Sequence, residues 1–142
     1  MKKILVLCTG NSCRSQIAHG YLEHFAGNNA LVYSAGIETH GVNPNAIAIM
    51  KEDGIYITHH TSNLITEYLE IDFDFILTVC DNANENCPVF PGNSKRLHFN
   101  FPDPAKAVGT EEDIKKAFVT VRESIKSYCQ TFVREHLNKS MD

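Results

Sequence analysis

Cys8 and Arg14 bracket the stretch Cys8-Thr9-Gly10-Asn11-Ser12-Cys13-Arg14, with Ser15 next, and these residue types at this spacing could attack a bound anion. A loop that enters a helix turns backbone N–H groups inward, and with the helix dipole they cradle a tetrahedral oxyanion. Gly10 and Asn11 tolerate the positive φ that such a curl requires. Arg14 can close the cradle with two parallel hydrogen bonds, a geometry lysine lacks. Thr9, Gly10, Asn11, Ser12, Cys13, Arg14 and Ser15 are therefore the expected oxyanion-binding residues. The same field is expected to lower the pKa of Cys8, which makes it the nucleophile. A buried cysteine at a strand end followed by an ordinary turn is the plainer alternative, and the order strand, Gly/Asn turn, Arg, Ser, helix argues against it.

Two further groups could join this chemistry. Cys80 and Cys87 flank the polar segment Asp81-Asn82-Ala83-Asn84-Glu85-Asn86. Their spacing is not that of a zinc knuckle, and no second Cys/His pair completes four ligands. Two structural thiols, or a dithiol closing across a mobile segment, remain as readings. A helical segment would have to bend or loop out to bring the two Cα atoms within about 7 Å. Asp103 lies between Pro102 and Pro104, which hold it stiffly enough to serve as a general acid; an Asp turn is the simpler alternative.

Positioning these groups calls for strands that end at them. The apolar run Ile4–Leu7 leads into Cys8, and Phe73–Val79 leads into Cys80. Leu31–Gly36 and Arg96–Phe99 read as two more strands. Between them, Ile17, Ala18, Tyr21, Leu22 and Phe25 repeat at helical spacing until Gly27-Asn28-Asn29. Asn43-Pro44 starts a helix that Gly54 ends. Ser62 is expected to cap a short helix through Tyr68-Leu69, with His59 and His60 in a solvated connector before it. Thr110 and Asp113 form a capping box for a long last helix lined by Ile114, Phe118, Val121, Ile125, Tyr128 and Phe132. Cys129 beside that face is a packing residue. The alternation predicts an α/β fold, a parallel sheet flanked by helices on both faces, with ligands beyond the carboxyl ends of the strands.

The length of 142 residues is that of one domain, residues 1–142, and a net charge of −4 gives no sign of nucleic-acid binding. An odd count of five cysteines, grouped at motifs, suggests a reducing compartment. The apolar part of Met1–Cys8 is too short for a signal sequence, and no run approaches membrane-spanning length. A cytoplasmic location with no membrane association is the expectation.

The loop Cys8–Ser15, the Asp103-Pro104 pair and the Cys80/Cys87 pair together resemble the thioredoxin-coupled arsenate reductases, built on the low-molecular-weight protein tyrosine phosphatase fold. The likeness extends to Tyr33-Ser34-Ala35-Gly36-Ile37, His40-Gly41-Val42-Asn43-Pro44-Asn45-Ala46 and Gly109-Thr110-Glu111-Glu112. It implies a three-layer fold with a four-stranded parallel sheet and a relay of three thiols. Cys8 would attack arsenate held by the loop and Arg14, with Asp103 protonating the leaving oxygen. Cys80 would then displace arsenite and bond to Cys8, and Cys87 would draw the disulfide outward for thioredoxin. Asn11 and Ser15 would steady the loop and the Cys8 thiolate. No flavin, nicotinamide or metal cofactor is implied, because thiol exchange carries both electrons; the protein would act as a monomer. Some relatives hold potassium near the loop with carboxylates, where His19 and Asn63 stand here. Cys13 would be an oxidation trap. A tyrosine phosphatase is the alternative, although Ala105-Lys106 replace the aromatic residues that usually follow its Asp-Pro pair. A thiol redox sensor would leave Arg14 and Asp103 unexplained.

Overall fold

The computed structural model describes residues 1–137. Its elements run β1 (Lys2–Cys8), α1 (Arg14–Ala26), β2 (Ala30–Gly36), α2 (Pro44–Glu52), β3 (Phe75–Thr78), α3 (Asp81–Glu85), β4 (Lys95–His98) and α4 (Glu111–His136). The four strands form one parallel sheet in the order β2-β1-β3-β4. Ile4, Leu5, Val6 and Leu7 are fully buried, as a central strand covered on both faces must be. The edge strand β4 is mostly exposed and carries Lys95 and Arg96, charges that discourage further strand pairing.

The helices pack as their patterns predict. Phe118, Val121, Ile125, Phe132 and Val133 of α4 are buried, and Cys129 among them donates its thiol proton to the Ala18 carbonyl of α1 at 3.7 Å. Arg122 Nη1 donates to the Ile49 carbonyl of α2 (2.9 Å), tying α2 to α4. The capping box at Thr110 forms: Asp113 N donates to Thr110 Oγ1, and Thr110 N to Asp113 Oδ2. Gly27 ends α1 with φ of 55°, and Asn43 caps α2 by accepting from Asn45 N.

Three local expectations change. β3 starts at Phe75 rather than Phe73, because Phe73 leaves the ladder to pack edge-on against Tyr33 and Phe90. The helical turn after α2 is a 3-10 turn at Ile65–Tyr68, and Ser62 does not cap it; the Ser62 hydroxyl donates to the Gly10 carbonyl at 3.0 Å. His60 is not in a solvated connector, since its side chain is only 4% exposed. None of these residues announces its partner locally, because each is claimed by a side chain or carbonyl distant in sequence.

Candidate active site

β1 and β2 connect toward one sheet edge and β2 and β3 back past β1, so the strand order reverses between β1 and β3. Such a reversal opens a crevice at the carboxyl ends. Leu7 pairs with Thr78 and Cys8 with Gly36, which brings Cys8 and Cys80 side by side at its floor.

The loop from Cys8 to Cys13 is bonded outward through its carbonyls. Cys8 O accepts from Ile37 N, Thr9 O from Glu38 N, Gly10 O from His40 N and Ser12 O from Asn43 N. Asn11 O accepts from Gln16 Nε2 at 3.1 Å. In a planar trans peptide the N–H points opposite to the C=O, so this pattern leaves N–H groups of the loop to line the cup. Asn11 holds φ of 48°, and its side chain spans the loop, donating to Ser15 Oγ (2.8 Å) and accepting from Asn63 N (2.8 Å). Glycine is needed at Gly36 by close approach, since a Cβ there would stand 2.7 Å from Thr9 O. At Gly10 a Cβ would run into the His40 ring.

The cavity above the loop measures about 260 Å³ and is lined by Cys8, Thr9, Gly10, Ser12, Cys13 and Arg14, with His40, Asp103 and Ala105 on its walls. Arg14 reaches it from the first residue of α1. Its Nη1 donates to the Phe101 carbonyl at 2.9 Å, and its Nη2 lies 3.7 Å from Asp103 Oδ2. Asp103 is itself oriented by accepting from Ala105 N (3.0 Å). Among the described residues no Tyr or Phe ring lines this cavity. Its floor and mouth suit a small oxyanion more than an aryl ester.

The charge at the floor differs from the expectation of a depressed thiol at Cys8. Cys8 is pushed up, first by its hydrogen bond with Cys80 and then by burial, against the pull of Arg14 and the Thr9 N–H. Cys80 is pushed down to about 5, chiefly by the same hydrogen bond; burial opposes this, while the Thr9 hydroxyl, the Ala83 N–H and Arg14 reinforce it. The proximity of the two thiols favours a single negative charge on the pair, with Cys80 the more acidic partner. Thr9 Oγ1 lies 3.3 Å from Cys80 Sγ. The physical reason for the difference is the neighbouring strand, which sets a second thiol beside the first.

The remaining thiols are quieter. All five cysteines are free. Cys13 is pushed up to about 12 by burial and the Asp103 carboxylate, and burial raises Cys129 and the half-buried Cys87. α3 separates Cys80 from Cys87, and its five residues at helical rise alone set the two about 7.5 Å apart along the axis. That is too far for a disulfide with α3 wound.

At the position where the resemblance implied a potassium site, the donor set is a different one. His19 presents ring nitrogens, and the Asn63 amide is engaged by Thr61 Oγ1 (2.8 Å) and Tyr68 OH (2.5 Å). These residues do not fit a hard, oxygen-seeking cation. A His19–Glu23–His60 cluster stands there, and the sequence reading missed it. The i,i+4 spacing of His19 and Glu23 was visible, but His60 reaches them only through the fold.

Comparison with known proteins agrees with this geometry. Residues 3–142 match the family described as low molecular weight phosphotyrosine protein phosphatase. A protein of Staphylococcus epidermidis named arsenate reductase 1 is 50% identical over 92% of this chain and 95% of its own. One of Halalkalibacterium halodurans named arsenate reductase is 49% identical over 92% of this chain and 94% of its own. A solved arsenate reductase in its oxidised state superimposes with a TM-score of 0.82 at 29% identity, covering 95% of this chain and 98% of that one. On sequence and fold alike, the chain belongs to the low molecular weight phosphotyrosine protein phosphatase family.

Proposed function

We propose that this enzyme is a thioredoxin-coupled arsenate reductase in which Cys8, Cys80 and Cys87 pass oxidising equivalents outward. The observation that carries the reading is the second thiol at the floor of the cup, where phosphoryl transfer would need only one. Arsenate enters the loop formed by Thr9, Gly10, Asn11, Ser12, Cys13, Arg14 and Ser15. Cys8 attacks arsenic while its proton passes to the neighbouring Cys80. Asp103 hands a proton to the departing oxygen, which leaves as water. Cys80 gives its proton to water and attacks the Cys8 sulfur; the electron pair of the As–S bond stays on arsenic, which departs as arsenite and takes up a proton from water. Cys87 then attacks Cys80, freeing Cys8 as thiolate and leaving Cys80–Cys87. The dithiol of thioredoxin reduces that disulfide and is itself oxidised.

Residues 1–142 act as one domain and one monomer in this reading, in the cytoplasm, in the service of arsenic detoxification. Among the described residues no helix is long and apolar enough to cross a membrane. The similarity to proteins named arsenate reductase supports the substrate.

The test separates reduction from hydrolysis. Both need Cys8 and Arg14, but only reduction needs a second thiol. Cys80→Ser is expected to abolish thioredoxin-coupled arsenate reduction while retaining weak hydrolysis of an aryl phosphate. Retained reduction would contradict the relay, and equal loss of both activities would assign Cys80 a structural role in the loop.

A further inference from the structure

The His19–Glu23–His60 cluster lies outside the oxyanion cup, and its hydrogen bonds are arranged around a gap in the proton count. The Gln16 amide is oriented without ambiguity, because its Nε2 donates to two carbonyls, Asn11 O (3.1 Å) and Thr61 O (3.0 Å). Its Oε1 is thus the atom 3.0 Å from His60 Nδ1, and His60 must donate there. The other ring nitrogen, Nε2, faces a second acceptor, Glu23 Oε1, at 3.1 Å. A neutral imidazole has one proton and cannot serve both. His19 faces the same carboxylate: its Nε2 lies 3.6 Å from that Glu23 oxygen, and its Nδ1 lies 2.8 Å from Ser34 Oγ, a hydroxyl that can donate or accept. The two rings stack with centroids 4.2 Å apart, so a proton added to one raises the cost of a proton on the other.

We propose that His19 Nε2, His60 Nε2 and the Glu23 carboxylate bind a divalent transition-metal ion of borderline softness, with zinc(II) as the type case. The three ligand atoms lie within 4.8 Å of one another. Bonds of about 2.0–2.1 Å put tetrahedral ligand atoms about 3.3 Å apart, a spacing the nitrogen–oxygen pairs at 3.1 and 3.6 Å already approach, and binding asks the two rings to turn out of their stack until both lone pairs meet the ion. Each histidine already has the outer partner that metal-bound imidazoles use, Ser34 for His19 and Gln16 for His60. The imidazole side chains are largely enclosed while Glu23 is 46% exposed, which leaves the carboxylate side for entry and for a water ligand. Two nitrogens and one carboxylate select against potassium and magnesium and in favour of zinc, cobalt or nickel. The ion would lock His60, hence Gln16, hence the Asn11 carbonyl of the oxyanion loop.

Cobalt(II) titration of the reduced enzyme tests this, because its spectrum distinguishes nitrogen and oxygen ligands from the thiolates elsewhere in the chain. The expected result is one cobalt per chain, with ligand-field bands and no thiolate-to-cobalt charge transfer. Affinity should fall at least about 100-fold in His60→Asn and in Glu23→Gln, and about tenfold in Ser34→Ala. Zinc should raise the melting temperature of the wild type and leave Glu23→Gln unmoved, while potassium raises neither. Glu23 is half-exposed on α1, so its glutamine variant keeps the fold. Four outcomes would overturn the proposal: no stoichiometric binding, a thiolate charge-transfer band at this stoichiometry, binding indifferent to Glu23→Gln, or a potassium-specific stabilisation. A melting temperature that depends on pH through Glu23, without any cobalt site, would mean that a proton fills the gap instead.

Discussion

The chemistry turns on how Cys8 and Cys80 share a charge. Cys80 is pushed down to about 5, so the thiolate it carries is present above that pH and is lost as pH falls through it, whereas an unfolded thiol ionises near about 8.5. A group depressed in this way adds stability that grows between those two values and vanishes below the lower one. Alkylation of the pair in ligand-free enzyme should follow the same curve, with half its rate lost near pH 5. Thr9→Val removes the hydroxyl 3.3 Å from the Cys80 sulfur and should shift this curve upward by about one pH unit, slowing alkylation near pH 5 about fivefold. A pH profile unchanged in Thr9→Val would mean that the hydroxyl does not hold the charge. Iodoacetamide labelling mapped by mass spectrometry reads both. The residues of the cup were legible in the sequence because the loop is local: the Cys8–Arg14 spacing, the Asn11 positive φ and the Ser15 contact all lie within eight positions. The charge on Cys80 was not, since it depends on a sulfur that strand pairing brings from 72 positions away. His60 and Ser62 were misread for the same reason, each bonded to a partner in the first 23 residues.

Among the elements, α3 is the one built to give way. It has five residues, of which only Ala83 is buried. Its fastening is polar: Asp81 N donates to Asn100 Oδ1 (3.0 Å), Asp81 Oδ1 meets His98 Nε2 (2.7 Å), and Asn82 Nδ2 donates to Thr9 Oγ1 (3.1 Å). Little apolar area opposes local opening, so this segment belongs to the low-stability end of the fold. Closing Cys80–Cys87 must unwind it. Backbone hydrogen exchange over residues 81–86 should therefore be faster in the oxidised than in the reduced enzyme, with α1 and α4 unchanged. Equal protection in both states would mean that α3 stays wound and that the two thiols never join. The sequence revealed the segment's polar character and the boundaries of the long, periodic helices α1 and α4. It did not reveal the shortened β3 or the 3-10 turn at Ile65–Tyr68, because aromatic packing among Tyr33, Tyr68 and Phe73 outweighs the local pattern there.

At the scale of the molecule, the sheet order would set the direction of the proposed relay. β1 and β3 place two thiols at the base of one crevice, the β2–α2 segment holds the loop carbonyls from outside, and α3 stands between that crevice and the half-buried Cys87. In the proposed relay the three sulfurs would form a path from the buried floor of the cup to the half-buried Cys87. The most direct measurement is a single-turnover experiment on pre-reduced Cys87→Ser enzyme, counting arsenite and mapping the disulfide by mass spectrometry. The account predicts about one arsenite per active site, a halt with Cys8 bonded to Cys80, and slow restart by thioredoxin; wild type without thioredoxin should instead accumulate Cys80–Cys87. Continuous turnover of Cys87→Ser with thioredoxin as the sole reductant would contradict it and leave a mechanism of two thiols.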